Sequence, residues 1–384
     1  MNQRIPFFRH DLGHAELNMM AEVLAGDILT TGAYVDRFER QFAEYLGARH
    51  CLAVSHCTGA LHMALLGLDI GPGDEVITTP MSFIATATAI MEAGATPVFV
   101  DVEPNTGNID AARIEAAITP RTRAIMPVHL YGLMCDMPTI LRIADAHRLK
   151  IIEDSAHCIE GRRAGVRPGQ LSDAAAFSFY ATKNLTCGEG GALVVNDTEL
   201  YKKLRLLRLH GATKTAADRM REGYQHWDMV LMGWKYNMSN IEAALLLPQF
   251  ARLERKLAER AALAERYTRL LARMRGVRIP AMPADTQVHG RHIFPIWVDS
   301  LPRDRLVQHL ISKGVGTVVN YLAMHTLTWF RDNMGTKRGD FPIAEEIGDK
   351  VLSLPFYPGM PEEHVDQVCA EIEVALAKSA VPVG

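Results

Sequence analysis

AAAFSFYATKNLTCGEGGALVV, residues 174–195, is the stretch whose reading decides the fold. It opens on a short apolar run and closes on another. Between them stand one lysine, Lys183, and the glycine pair Gly190-Gly191. Apolar runs this short, bounded by glycine and polar residues, read as strands rather than helices. On the N-terminal side HCLAVS, EVITTP, TPVFVD, RAIMPVH and KIIEDS repeat the pattern. Between several of them, residues 57–68, 82–93 and 137–147 carry apolar positions at a period near that of a helix. Strands alternating with helices imply an α/β domain with a mostly parallel sheet covered on both faces. In such sheets the loops at the C-terminal ends of the strands carry the site.

Further on the character changes. Ser239 can cap a long helical segment over 241–274, in which Pro248 should start a turn or a kink. Beyond it HIFPIWV and GVGTVVNY read as strands, with helices expected over 303–313 and 361–377, the latter with Pro361 in its first turn. Two domains are therefore expected, 1–245 and 246–384, the second a small α/β unit. The chain has 384 residues, 48% hydrophobic and 22% charged, with 41 Lys+Arg against 44 Asp+Glu. A net charge of −3 provides no basic excess for nucleic acid or an anionic membrane. No apolar stretch reaches a membrane span, and MNQRIPFFRHDLGH lacks a leader's apolar run. The six cysteines have no ligand or disulfide spacing, so a cytoplasmic protein with reduced thiols and no metal is expected.

Five features carry chemistry, and each has a plainer alternative. Ser55-His56-Cys57-Thr58-Gly59-Ala60 joins a strand to an apolar helix, where free N–H groups suit a phosphate; the same residues also simply cap helices. Asp154 leaves a buried strand in IIEDSAH. It can bind a metal, cap a helix or hold a protonated pyridine nitrogen, and His157 follows it closely. Lys183 follows an apolar strand, and a lysine drawn out of water can form a Schiff base with an aldehyde; a surface ion pair is the alternative. Ser178 lies where its hydroxyl could reach a phosphate. Phe83, in TPMSF, would cover a flat ring or fill the core. GWKYNMS, with Lys235 and Asn237, is a polar aromatic segment before the long helix, or a surface turn. Together, a phosphate cradle, a ring cover, a carboxylate and a lysine are the handles of pyridoxal 5′-phosphate.

EDSAH, FSFYATKN and CGEGG, with TPMSF before them and GWKYN after, resemble the DegT/DnrJ/EryC1/StrS sugar-nucleotide aminotransferases. The resemblance runs from PFFR and ILTTGAYVDRFE to SLPFYPGM, nearly the whole chain. Within the family, LTTG, GDEVIT, ATPVFVDV, AITPRT, KNLTCGEGG and WKYN look most like the branch making UDP-4-amino-4-deoxy-L-arabinose. It implies the aspartate-aminotransferase-like fold (fold type I), with pyridoxal 5′-phosphate as cofactor. Glutamate would be the amino donor, giving 2-oxoglutarate, and a nucleotide-linked keto-sugar the acceptor. The likeness assigns Lys183 to the cofactor aldehyde, Asp154 to the ring nitrogen and Phe83 to the ring face. It assigns His157 to the 3′-oxygen, and Thr58, Gly59 and Ser178 to the phosphate.

Many members read Asn-x-Arg before the long helix, and that asparagine reaches the neighbouring subunit's phosphate. Here Lys235 and Asn237 occupy those positions, and a homodimer with shared sites is implied. Leu133 stands where many members carry glutamine in His-x-Tyr-Gly-Gln. Tyr321 and His325, in NYLAMH, are the candidate sugar contacts, and Lys214, Arg219, Arg221 and His226 could meet a diphosphate. The alternatives are another nucleotide-linked keto-sugar (GDP- or dTDP-4-keto-6-deoxy, or 3-keto) and a non-catalytic paralogue that binds the cofactor or nucleotide sugar. The family's sugar 3-dehydrases carry histidine in place of the lysine, and Lys183 argues against that activity.

Overall fold

The computed structural model describes residues 4–215, 218 and 226–379. In its N-terminal part β1 (His50–Val54), β2 (Glu75–Thr78), β3 (Thr96–Phe99), β4 (Thr122–Ile125) and β5 (Lys150–Asp154) alternate with helices. The two-residue β6 (Arg162–Arg163) stands apart, and β7 (Ala174–Ser178) and β8 (Gly191–Val195) complete a seven-stranded sheet. Its order is β1-β8-β7-β5-β4-β2-β3. Strands β3, β2, β4, β5 and β7 run parallel, and β8 is antiparallel to both its neighbours. Each of the seven apolar runs expected as strands in this part is a strand of this sheet.

The covering helices are α1 (His14–Leu24), α2 (Ala33–Leu46), α3 (Cys57–Gly67), α4 (Ala85–Glu92), α5 (Ala111–Ile114), α6 (Met137–His147) and α7 (Thr198–Leu207). Because strand side chains alternate, Ala174 and Ala176 pack with Leu61 and Leu65 of α3 on one face. Ala175 and Phe177 meet Phe38 and Phe42 of α2 on the other. A sheet buried on both faces needs uninterrupted apolar strands, which is why these runs are hydrophobic throughout rather than alternating.

Register sets the site. Asp154 of β5 pairs with Ala176 of β7, Ser178 of β7 with Gly191 of β8, and Gly191 with Val54 of β1. The C-terminal ends of β5, β7 and β1 thus share one edge of the sheet, and α3 begins directly after β1. Gly191 permits this closeness: a Cβ there would lie 2.7 Å from the Cys57 backbone nitrogen.

After residue 239 come α8 (Asn240–Phe250) and α9 (Leu253–Leu271), then α10 (Arg303–Ser312), α11 (Thr328–Met334), α12 (Pro342–Lys350) and α13 (Glu362–Ser379). The strands are β9 (Val277–Arg278), β10 (Thr286–Val288), β11 (Phe294–Val298) and β12 (Val351–Leu354). β12-β11-β9 form an antiparallel sheet, while β10 pairs with β6. Tyr267, Ile296, Leu352, Val365 and Ile372 build the core of this part, and Ile5 from the N-terminus is inserted into it.

Two expectations are corrected here. The helical segment over 241–274 is two helices, and its break falls after Pro248 rather than at it. Ser239 caps the first with a reciprocal box, its N–H donating to Glu242 Oε2 at 2.6 Å, and Pro248 lies inside it. Proline removes one backbone donor, and the chain leaves helical geometry at Arg252 before α9 begins. GVGTVVNY makes only isolated bridges, Ile5 with Val315 and Val318 with Ser353. Its glycines explain the difference: Gly314 takes φ 79, and a Cβ at Gly316 would lie 2.7 Å from the Phe7 nitrogen. Among the described residues no helix is long and apolar enough to cross a membrane.

Candidate active site

A cavity of about 550 Å³ opens at the shared sheet edge, and Thr58, Phe83, Asp154, His157, Ser178, Lys183 and Tyr321 all line it. They come from loops and strand ends far apart in sequence, drawn together by the register above.

Asp154 ends β5 and is buried. Its Oδ2 accepts from Thr86 Oγ1 at 2.7 Å and its Oδ1 from the Ala156 N–H at 3.1 Å. Thr86 in turn shares a hydrogen bond with Ser82 Oγ at 2.8 Å. Burial pushes the carboxyl up from its ordinary value. The Thr86 bond, the Ala156 amide and the charges of Lys183 and His129 oppose that rise.

Lys183 stands in the loop after β7, where its backbone N–H donates to the Tyr180 carbonyl at 2.9 Å. The residue is half-buried and faces the cavity. Loss of water pushes its amine down to about 8, against the opposing pull of Cys57 and Asp154. An amine held there is partly neutral near neutral pH and can act as a nucleophile or base.

His157 is buried, and burial with the charge of Lys183 holds its pKa far below the ordinary value. The Tyr131 N–H donates to Nδ1 at 3.3 Å. The ring proton is left on Nε2, where it is donated to Tyr321 Oη at 3.1 Å. Phe83 is 56% exposed, so it is not a core residue; its ring lies 6.1 Å from that of Tyr321. Ser178 accepts from the Tyr180 N–H at 3.3 Å. Thr58 lies in the first turn of α3, which has no side-chain cap, so its leading N–H groups remain available to an anion. Gly59 is buried behind Thr58, and a Cβ there would crowd Tyr236 at 3.1 Å.

Other sequence-predicted residues lie elsewhere. Lys235 and Asn237 line a separate cavity of about 420 Å³ with Thr30, Lys214 and Trp227. Lys235 Nζ donates to Asn237 Oδ1 at 2.6 Å, and Asn237 Nδ2 to Thr31 Oγ1 at 2.7 Å. His325 is fully buried and does not line the active-site cavity: its Nε2 meets Glu345 Oε1 at 2.9 Å. His226 stacks on Trp227, and Arg219 and Arg221 lie outside the described residues. Sequence reasoning singled out neither Thr86 nor His292, both of which line the cavity, and quoted Cys57 only as part of the phosphate motif. Thr86 lies just past TPMSF in the first turn of α4, and nothing in its spacing marks it as a partner of Asp154.

The DegT/DnrJ/EryC1/StrS aminotransferase family model matches residues 10–373. The chain belongs to this family. It is 40% identical over 373 residues to the spore coat polysaccharide biosynthesis protein SpsC of Bacillus subtilis, covering 96% of each chain. It is 39% identical over 355 residues to the GDP-perosamine synthase of Caulobacter vibrioides, covering 91% of this chain and 92% of that one. The structure of the putative sugar aminotransferase Spr1654 from Streptococcus pneumoniae in its PMP form superimposes with a TM-score of 0.92. The two are 30% identical, over 98% of this chain and 100% of that one. A PLP form of the same protein gives the same TM-score.

This sugar aminotransferase is a pyridoxal 5′-phosphate enzyme, and its fold is the one those relatives share. Its cavity fits the cofactor in donor chemistry: a buried carboxylate suits a pyridine nitrogen, an uncapped helix start suits a phosphate, and a partly neutral lysine suits an aldehyde.

Proposed function

We propose that this aminotransferase moves the amino group of glutamate to a keto-sugar carried on a nucleoside diphosphate, with Lys183 and Asp154 as its catalytic pair. The observation that carries this reading is that one cavity holds an amine pushed down to about 8 and a buried carboxylate with two donors. When bound, pyridoxal 5′-phosphate supplies the aldehyde that takes up the amino group and a ring that accepts electrons from the substrate carbon. Asp154 holds a proton at the ring nitrogen, and Thr86 and the Ala156 amide keep its carboxylate oriented for that task. Lys183 would take and return the proton at the reacting carbon; a group titrating near working pH suits both directions.

We assign the remaining roles on the same reading. The first turn of α3, with Thr58 and Gly59, and Ser178 hold the phosphate, and Phe83 covers the ring. His157 would serve the ring's 3′-oxygen while its Nε2–H orients Tyr321, whose hydroxyl we assign to the sugar. Lys235 and Asn237, outside this cavity, serve the phosphate of a neighbouring subunit in a homodimer with shared sites. We divide the chain into domains 1–245 and 246–384; residues of both ranges line the cavity, and Ile5 packs in the core of the second. Six unpaired cysteines fit a cytoplasmic enzyme.

The arabinose-like stretches favour a UDP-linked 4-keto sugar as acceptor. The likeness to a GDP-perosamine synthase makes a GDP-linked keto-sugar the competing acceptor. The holoenzyme is incubated with glutamate and each sugar, and 2-oxoglutarate and amino-sugar are measured together. Equal formation of both products from one nucleotide-linked sugar is expected. Amine formed only on free sugars, or on none of a UDP, GDP and dTDP panel, contradicts the proposal.

A further inference from the structure

Behind the Lys183 loop lies a buried charged cluster that the reaction above does not use. Glu160, in the segment after β5, and Arg260, on α9, have side-chain exposures of 0% and 4% and meet at 3.5 Å. Asn184, the residue after Lys183, is gripped at both ends. Its Nδ2 donates to Glu160 Oε1 and Oε2 at 2.9 and 3.0 Å and to the Gly290 carbonyl at 2.7 Å. Its own carbonyl accepts from Arg260 Nη2 at 3.3 Å. Gly290 is fixed in turn, its N–H donating to the Gly132 carbonyl at 2.8 Å. Buried ion pairs are weak stabilisers, because desolvation offsets most of the attraction. A pair placed against the residue that follows the cofactor lysine points to a local duty.

We propose that Glu160 and Arg260 are positioning residues for Lys183: through Asn184 they fix the backbone that carries the lysine, and their opposite charges cancel at its amine. This rests on Lys183 being the cofactor lysine, as proposed above. The field of Arg260 reaches the cavity wall, where it joins burial, Lys183 and His157 in holding His292 neutral. The groups facing Lys183 are Cys57, Asp154, His157 and His292. Those facing the pair are Asp11, Tyr45, Cys158, Glu254, Glu259 and His292. Without Glu160 the arginine's charge is uncompensated and repels a proton on the lysine nitrogen; without Arg260 the glutamate attracts one.

The test is a pH titration of the visible absorbance of the holoenzyme. Glu160→Gln should lower its midpoint by about 0.5 unit or more and Arg260→Met should raise it by about as much, as unit charges acting through a partly dry interior would. The double variant should return to within about 0.2 unit of wild type. Simple loosening admits water to Lys183 in both single variants and shifts them the same way. Shifts of one sign, or none above about 0.2 unit, overturn the proposal. Asn184→Ala keeps both charges and cuts the tie: cofactor release should quicken about tenfold with the midpoint unmoved. An unchanged release rate overturns the positioning role even if Arg260→Met does not fold. Lys183→Ala separates the two readings, since a visible band that survives it refutes the lysine assignment and not the cluster.

Discussion

Thr86→Val tests the environment of Asp154 directly. Valine keeps the shape of threonine and removes the hydroxyl that donates to Asp154 Oδ2 at 2.7 Å. A hydrogen bond to a charged group contributes about 1.5–3 kcal/mol, and one to a neutral group about 1 kcal/mol. Burial already holds the carboxyl above its ordinary 3.8, so the folded state keeps a proton that the unfolded chain has released. Stability therefore falls as pH rises from 3.8 to the folded value and is lowest above it. The variant pushes the folded value further up and extends that window. In the cofactor-free protein, urea unfolding above the carboxyl's folded midpoint should show a deficit of about 1.5–3 kcal/mol against wild type. The deficit should shrink toward about 1 kcal/mol on acidification. Infrared titration of the carboxyl should show its midpoint displaced upward. Ser82→Ala, which removes only the second bond in the chain, should cost less at every pH. A deficit independent of pH, or a larger one for Ser82→Ala, refutes the claim that Thr86 stabilises the charged form.

Three further outcomes follow from the same geometry. Lys183→Met should stabilise the cofactor-free protein by about 2–3 kcal/mol near neutral pH, because an amine lowered from 10.5 to about 8 resists burial while charged; unfolding measurements should see the gain vanish as pH rises past about 10.5. Gly191→Ala places a methyl 2.7 Å from the Cys57 nitrogen, so it should cost about 1–3 kcal/mol in unfolding and weaken cofactor binding; Gly13→Ala, with open space around it, should stay within about 0.5 kcal/mol. Ser239→Ala breaks a reciprocal cap and should lower stability by about 1 kcal/mol without changing the absorbance of bound cofactor.

Much of the cavity lining was readable because strand-end chemistry is local. Asp154, Ser178 and Thr58 stand at or just past the end of an apolar run, Lys183 follows in the loop after β7, and the parallel order brings those ends to one edge. The partners that tune them were not readable. Thr86 reaches Asp154 across 68 positions of sequence, and Arg260 reaches Glu160 across 100. Such contacts depend on how helices dock, which no period in the sequence encodes. Errors at the sequence level came from backbone details. GVGTVVNY has the composition of a strand, yet its glycines serve a close approach to Phe7 and leave only bridges. His325 sits in a polar-looking loop, and only the folded chain shows that Glu345 claims its ring. Phe83 could be either core or cover from spacing alone, and its exposure at the cavity removes the core reading.

The account stands on which lysine holds the cofactor. Reducing the holoenzyme with borohydride and mapping its peptides by mass spectrometry measures this directly. A single pyridoxyl group on Lys183 is the predicted result. The same group on Lys214, Lys235 or any other lysine, or on none, contradicts it.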